Sequence, residues 1–174
     1  MSLHAFADES FERAYLIAVV VIAGADVATC RSRSRQLRAR GAARFHMAAE
    51  SNWRRDSALA LIRDLPATLF VVEVSPDTER RLRRNRAITA VVDECCLLGA
   101  SHLVFELDVS VIERDRRTVA RALHKGVNAG ALTYDFVLGS AEPLLWRPDA
   151  VAWAWARGWP WRGKLPDDTR HIRA

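Results

Sequence analysis

A short apolar segment that runs directly into acidic residues opens the chain and constrains its fold more than any other feature. Leu3 to Ala7 is mostly apolar, and Asp8-Glu9-Ser10 follows at once. A longer apolar stretch, Ala14 to Ala23, comes next and predicts an antiparallel hairpin. A carboxylate at the end of a buried strand is costly unless a partner or a metal ion compensates its charge. This first segment therefore predicts a β-sheet with an acid at the end of one strand, its charge compensated by a partner or a metal ion.

Strand-like and helical segments alternate along the rest of the chain. Further strands are predicted at 68–74, 102–109 and 131–138. Helices are predicted at 27–40, 52–64, 76–98, 115–125 and 142–157. This order predicts an α/β protein with a mixed β-sheet flanked by helices. We expect one domain over residues 1–158 and a loosely held polar tail over 159–174.

Composition and cysteine usage exclude several classes of protein. The longest apolar run, Tyr15 to Ala25, is shorter than the ~20 residues that span a bilayer. Asp8 and Glu9 fall where the apolar core of a signal peptide would lie, so we expect a cytoplasmic protein with no membrane partner. Three cysteines, two of them adjacent, provide neither a disulfide framework nor the spacing of a zinc site.

Positive charge is carried almost entirely by arginine, because Lys125 and Lys164 are the only lysines. The formal net charge is +5. Guanidinium groups match phosphate geometry, which favours a nucleic-acid partner, although arginine usage can also reflect genome composition. Two predicted helices carry basic clusters that are either phosphate contacts or a solvated charged face. The candidate phosphate contacts are Arg31, Arg35, Arg80, Arg83 and Arg84.

The acids recur at strand ends and at a helix start. Glu106 and Asp108 lie two apart on a predicted strand, so both should point to the same face. If that strand neighbours the first one, Asp8 and Glu106 converge, and Asp149 in the first turn of the last helix can cross over them. Converging carboxylates suit Mg²⁺ or Mn²⁺. Singly, each acid could instead form a salt bridge, complement a helix dipole or face solvent.

Two further groups of residues remain open to more than one interpretation. His46 and Glu50 are four apart and could share a helical face as a functional pair or as a surface contact. Five of the six tryptophans fall between Trp146 and Trp161. They could pack against the sheet or a second subunit, and an exposed indole could stack on a base.

Several short motifs resemble one bacterial family, domain-of-unknown-function family 3800, whose members are RNase H-like nucleases. The motifs are Asp8-Glu9-Ser10 with the strand Ala14 to Ile22 after it, Phe45-His46-Met47, and Pro143 to Trp153. The resemblance implies an RNase H-like fold and a metal-dependent nuclease. It also implies that Asp8, a mid-chain strand acid and Asp149 are the metal ligands.

The residues and the resemblance together predict an Mg²⁺- or Mn²⁺-dependent nuclease that acts on DNA or RNA. Asp8, Glu106 and Asp149 are the predicted catalytic metal ligands, Glu9 or Asp108 would complete or orient the ligand shell, and His46 would position water or substrate. Two alternatives stay open. The chain could be a non-catalytic nucleic-acid-binding protein on the same fold, or an oligomeric partner protein such as a homodimer.

Overall fold

Six strands and five α-helices make up the computed structural model, which describes residues 2–11, 14–125 and 131–174. The strands are β1 (Leu3–Ser10), β2 (Tyr15–Ala23), β3 (Ala67–Val74), β4 (His102–Glu106), β5 (Thr133–Val137) and β6 (Arg170–Arg173). The helices are α1 (Val27–Arg35), α2 (Asn52–Arg63), α3 (Arg80–Leu97), α4 (Ile112–Lys125) and α5 (Trp146–Arg157).

The strands form one mixed sheet in the order β5-β4-β1-β2-β3-β6. The pairs β1–β2 and β2–β3 are antiparallel, whereas β1–β4, β4–β5 and β3–β6 are parallel. The predicted α/β class, the opening hairpin and the parallel crossovers are thus confirmed. β1 and β4, which carry two of the predicted acids, are direct neighbours at the centre of the sheet.

Side chains alternate between the two faces of the sheet, and helices cover both. Phe6 packs into a core with α1, α2 and α5, whereas Ala5 and Ala7 pack against α3 and α4. β2 is buried on both faces, as its continuous apolar sequence predicts. No helix in the described ranges is long and apolar enough to span a bilayer.

The C-terminal segment corrects our expectation of a loosely held tail. Arg170–Arg173 forms β6, which pairs with β3 at the edge of the sheet. Ile172 packs against the core on the α3 side, and Arg170 forms an ion pair with Glu94. A strand of four mostly polar residues has too little apolar periodicity to be recognised in sequence.

Several predicted boundaries also differ from the structure. The first helix ends at Arg35 instead of Arg40, and the third begins at Arg80 instead of residue 76. The fourth helix begins at Ile112 instead of residue 115, so Asp115 lies inside its first turn. β4 ends at Glu106, which leaves Asp108 outside the strand. These differences move polar side chains at element ends and leave the order of elements unchanged.

Candidate active site

Three carboxylates from three elements meet near the C-terminal ends of the central strands β1 and β4. Ala7 pairs with Phe105 in the parallel ladder between β1 and β4, so the next residues, Asp8 and Glu106, lie side by side. Asp149 lies in the first turn of α5, which packs across β1 and β2. The predicted convergence of these three acids is therefore present in the structure.

The electrostatics of Asp8 show that this acid lies in a negatively charged environment. Burial raises the pKa of the Asp8 carboxyl well above its usual value, and the nearby charges of Glu106 and Asp149 raise it further. The backbone N–H of Glu9 donates to Asp8 Oδ1 at 2.8 Å and Arg44 lies nearby, and both partly oppose the shift in pKa. Asp8 therefore holds its proton more readily than an exposed aspartate, first because it is buried and second because two further acids lie near it.

Arg44 supplies the main compensating charge to this cluster. Its Nη1 and Nη2 donate to the two carboxylate oxygens of Glu106, the latter at 3.2 Å. Burial opposes the charged guanidinium, but the hydrogen bond and the charge of Glu106 raise the pKa of Arg44. The glycine at position 139 makes room for this pair, since a Cβ there would lie 2.5 Å from Arg44 Nη1.

Asp149 is held in place by the segment before α2. The backbone N–H of Met47 donates to Asp149 Oδ2 at 2.7 Å, and His46 Nδ1 lies 3.2 Å from Asp149 Oδ1. The hydrogen bond between His46 and Asp149 raises the pKa of the His46 imidazole, although burial opposes the effect. The His46 side chain is 52% exposed and Asp149 only 8%, so the histidine closes the outer side of the carboxylate.

His46 and Glu50 do not form the pair that their spacing of four residues allowed. His46 has extended backbone, and residues 47–49 form a single 3-10 turn, so the two side chains do not share a helical face. Glu50 forms an ion pair with Arg54 in α2 instead. His46 therefore belongs to the carboxylate cluster through Asp149.

A second group of charged residues lies beside the cluster, on the other face of the sheet. Arg84 of α3 forms ion pairs with Glu9 and with the buried Asp115. Tyr15 Oη donates to Glu9 at 2.6 Å, and burial and the charge of Glu9 raise the pKa of this phenol. Glu9 thus points away from Asp8, as the strand alternation requires, and anchors β1 to α3.

Both groups line one open cavity of about 880 Å³, and Asp8, Arg44, Arg84, Glu106 and Asp149 all reach it. A cavity of this size can admit a small molecule or a nucleotide unit.

Asp108 lines the same cavity but takes no part in the cluster. Because β4 has ended, its side chain turns back, and Oδ1 accepts hydrogen bonds from the backbone N–H and the hydroxyl of Ser110. The hydroxyl of Ser110 lowers the pKa of this carboxyl. The expectation that Glu106 and Asp108 share a strand face is therefore wrong.

The five arginines predicted as phosphate contacts do not share one surface. Arg31 and Arg35 lie on α1, and Arg80, Arg83 and Arg84 lie on α3, across the sheet. Arg31 forms a two-pronged ion pair with Glu142, Arg83 donates to backbone carbonyls, and Arg84 is only 11% exposed. Arg35 and Arg80 are exposed.

The side-chain types in the cluster suit a divalent cation, but the spacing of these side chains does not. Over residues 2–11, 14–125 and 131–174, no group of three or more His, Cys, Asp or Glu side chains is spaced to hold a metal ion. Three carboxylates are nevertheless the donors that Mg²⁺ and Mn²⁺ prefer, and burial together with the charges of Glu106 and Asp149 raises the pKa of Asp8. Arg44 holds Glu106 in an ion pair, so a cation at the cluster would compete with this contact.

Comparisons with known proteins identify the fold. No protein-family model matches the chain, and no curated protein matches it, so the resemblance to family 3800 stays a prediction. Among solved structures, the chain is similar to one in the PCNA–RNase HII complex from Archaeoglobus fulgidus, with a TM-score of 0.61 and 16% identity over 89% of this chain and 73% of that one.

Ribonuclease H2 from Pyrococcus horikoshii is also similar, with a TM-score of 0.57 and 11% identity over 86% of this chain and 70% of that one. At these identities the similarity concerns the fold alone. The chain has an RNase H-like fold.

Proposed function

We propose that this protein is a metal-dependent nuclease that hydrolyses phosphodiester bonds of DNA or RNA in the cavity beside Asp8. The observation that carries the proposal is the meeting of Asp8, Glu106 and Asp149 in one open cavity, with the pKa of Asp8 raised by burial and by the other two charges. The RNase H-like fold supports the proposal, because the similar solved proteins are ribonucleases.

Asp8, Glu106 and Asp149 would hold Mg²⁺ or Mn²⁺ in this proposal. When bound, the metal would activate water and balance the charge of the phosphoryl group. The protein contributes the orientation of its ligands. The Met47 N–H and His46 fix both oxygens of Asp149, and the Glu9 N–H fixes one oxygen of Asp8. Arg44, which lines the cavity and pairs with Glu106, would be the guanidinium that binds a phosphate oxygen.

A non-catalytic nucleic-acid-binding protein is the second candidate, and one observation favours it. Arg44 already neutralises Glu106, and the described side chains form no group that is spaced for a metal ion. If that arrangement persists with substrate, the cavity would bind nucleic acid through Arg44 without hydrolysing it. The two candidates differ in whether the nucleic acid is cleaved when Mg²⁺ or Mn²⁺ is present.

A nuclease assay on single-stranded and double-stranded DNA and RNA, and on RNA–DNA hybrids, separates the two candidates. We expect wild-type cleavage in Mg²⁺ or Mn²⁺ that EDTA abolishes. Asp8→Asn keeps the shape of the side chain but removes its charge, and we expect it to reduce the rate by at least about 10²-fold.

Asp64→Asn provides the matched control, because this aspartate is exposed at the end of α2. It should cleave like wild type. Full cleavage by Asp8→Asn would refute the site, and cleavage that persists in EDTA would refute metal dependence.

A further inference from the structure

The open cavity continues past the carboxylate cluster onto the other face of the sheet. Asp8 follows Ala7 on β1, and successive strand residues point to opposite faces. Glu106 likewise follows Phe105 on β4. Ala7 and Phe105 belong to the core on the α3 side, and both line the same cavity as the acids. The second part of the cavity therefore lies one residue away from the cluster along each strand.

Apolar side chains dominate this second part of the cavity. The rings of Phe105 and Phe136 are stacked, with centroids 5.4 Å apart and planes inclined by 17°. Phe136 is half-buried, and Val109 is 74% exposed although it is apolar. We call this region the apolar subsite and define it by cavity-lining residues on the α3 side: Ile88, Phe105, Leu107, Val109 and Phe136. A concave apolar lining with a few polar groups beside it is typical of ligand sites.

The loop after β4 is ordered on both sides of Val109. The N–H of Leu107 donates to the carbonyl of Val137 at 2.9 Å. Asp108 Oδ1 accepts from the N–H and from the hydroxyl of Ser110, at 2.9 and 2.6 Å. These hydrogen bonds fix the backbone around Val109, so its exposed side chain is a built feature of the cavity rim.

One carboxylate oxygen in the cavity wall is available to a ligand. Tyr15 Oη and Arg84 Nη1 both donate to Glu9 Oε2. Over residues 2–11, 14–125 and 131–174, no group donates a hydrogen bond to Glu9 Oε1. Glu9 lines the same cavity as the apolar subsite. A carboxylate of this kind accepts from the amino group of a base, as acidic side chains do from N4 of cytosine.

We propose that the apolar subsite takes an unpaired nucleobase that carries an amino group, while the adjoining phosphate lies at the carboxylate cluster. A nucleotide joins a flat ring to a phosphate, and this matches an apolar subsite that directly adjoins acids able to hold a metal ion. Glu9 accepts the hydrogen bond of the amino group.

The proposal names the substrate class of the proposed nuclease, on which its phosphate position rests. In a duplex, stacking and pairing occupy the faces and the edge of a base, which enters a pocket only when it is single-stranded or flipped out. The substrate is therefore single-stranded nucleic acid or a nucleotide left unpaired in a duplex.

The tryptophans do not provide a base contact in this cavity. Trp146, Trp153 and Trp155 are buried, as a packing role requires. Trp159 is 85% exposed but does not line the cavity. Phe136 is thus the half-buried aromatic ring nearest in sequence pairing to the cluster, since it pairs with Phe105 in the β4–β5 ladder.

Fluorescence anisotropy with labelled strands of equal length and charge tests the proposal. The strands are oligodeoxycytidylate, oligothymidylate and an abasic strand, in Ca²⁺, with a gel to verify that they stay intact. We expect oligodeoxycytidylate to bind about tenfold more tightly than the abasic strand. It should also bind more tightly than oligothymidylate, because thymine presents a carbonyl oxygen where cytosine presents its amino group.

Variants of the apolar subsite make the result specific. Phe136→Ala should weaken binding of oligodeoxycytidylate by about tenfold and leave that of the abasic strand unchanged, whereas Phe136→Tyr keeps the ring and most of the affinity. Val109→Ser removes an exposed apolar side chain and should also weaken binding, and its exposure makes it safe for folding. Leu97→Ser is the matched control, because Leu97 is 81% exposed at the end of α3 and does not line the cavity.

The outcomes separate this proposal from the nuclease. A protein that distinguishes the strands but cleaves none would keep the apolar subsite and refute the nuclease. Equal affinity for oligodeoxycytidylate and the abasic strand, or for oligodeoxycytidylate and oligothymidylate, would overturn the proposal even if the protein cleaves. Wild-type affinity in both Phe136→Ala and Val109→Ser would overturn it as well.

Discussion

Arg44 is the residue that sets the charge of the carboxylate cluster. Its guanidinium holds Glu106 by two hydrogen bonds, and its charge lowers the pKa of Asp8 against the effect of burial and of the other two acids. A divalent cation at the cluster would compete with this contact. Arg44 therefore keeps three close carboxylates compatible with folding while no metal is bound.

Replacing Arg44 by glutamine should tighten Mn²⁺ binding. Two unit charges about 4 Å apart near a protein surface interact by on the order of 4 kcal/mol, and about a third of this energy corresponds to a tenfold change in affinity. Titration of free Mn²⁺ by electron paramagnetic resonance measures the change. Arg38→Gln removes an exposed arginine just after α1 and should leave the affinity as it is. Unchanged or weaker Mn²⁺ binding by Arg44→Gln would contradict this account.

Sequence could identify the acids but not their arginine. Asp8, Glu106 and Asp149 each follow a recognisable local signal, namely a strand end or a helix start. Arg44 lies between predicted elements in an arginine-rich chain, and its partner is 62 residues away. The adjacent motif Phe45-His46-Met47 was the only sequence signal in this region. No local feature distinguishes Arg44 from the other arginines there.

At the scale of elements, Arg84 joins three of them. It lies on α3 and binds Glu9 of β1 and Asp115 of α4, with two close hydrogen bonds to the latter. Its side chain is 11% exposed and that of Asp115 only 2% exposed. The sequence left a phosphate contact or a solvated charged face open at this position, because an arginine-rich helix start looks the same whether its guanidinium groups face solvent or a buried acid.

Replacing Arg84 by methionine should destabilise the protein by about 3–5 kcal/mol, because it leaves the buried Asp115 and Glu9 without their cation. Urea unfolding monitored by circular dichroism measures the loss. Arg81→Met on the same helix removes an exposed ion pair with Glu79 and should cost less than about 1 kcal/mol. Similar midpoints for the two variants would mean that Arg84 does not join these elements.

At the scale of the whole molecule, the strand order explains why the site lies where it does. β1 pairs with β2 on one side and β4 on the other, and this central position brings the end of β1 to the end of β4. Alternation of helices and strands was enough to predict a mixed sheet. The place of β6 was not predictable, because its four residues gain their stability from pairing with β3 and not from their own sequence.

The fold and the chemistry answer different questions about the same molecule. Similarity to ribonucleases at 16% and 11% identity establishes the arrangement of strands. Hydrolysis depends on whether three carboxylates at the edge of β1 and β4 accept a metal ion in competition with Arg44. Metal binding at this cluster therefore decides whether the proposed hydrolysis can occur.

Calorimetric titration of Mn²⁺ into the wild-type protein and into Asp8→Asn tests that claim most directly. We predict saturable binding to the wild-type protein that is lost in Asp8→Asn, because this substitution removes the central charge of the cluster. Equal binding by the two proteins would place the metal elsewhere. Absence of binding in both, and in Arg44→Gln as well, would contradict the metal-dependent nuclease and leave the nucleic-acid-binding protein as the function.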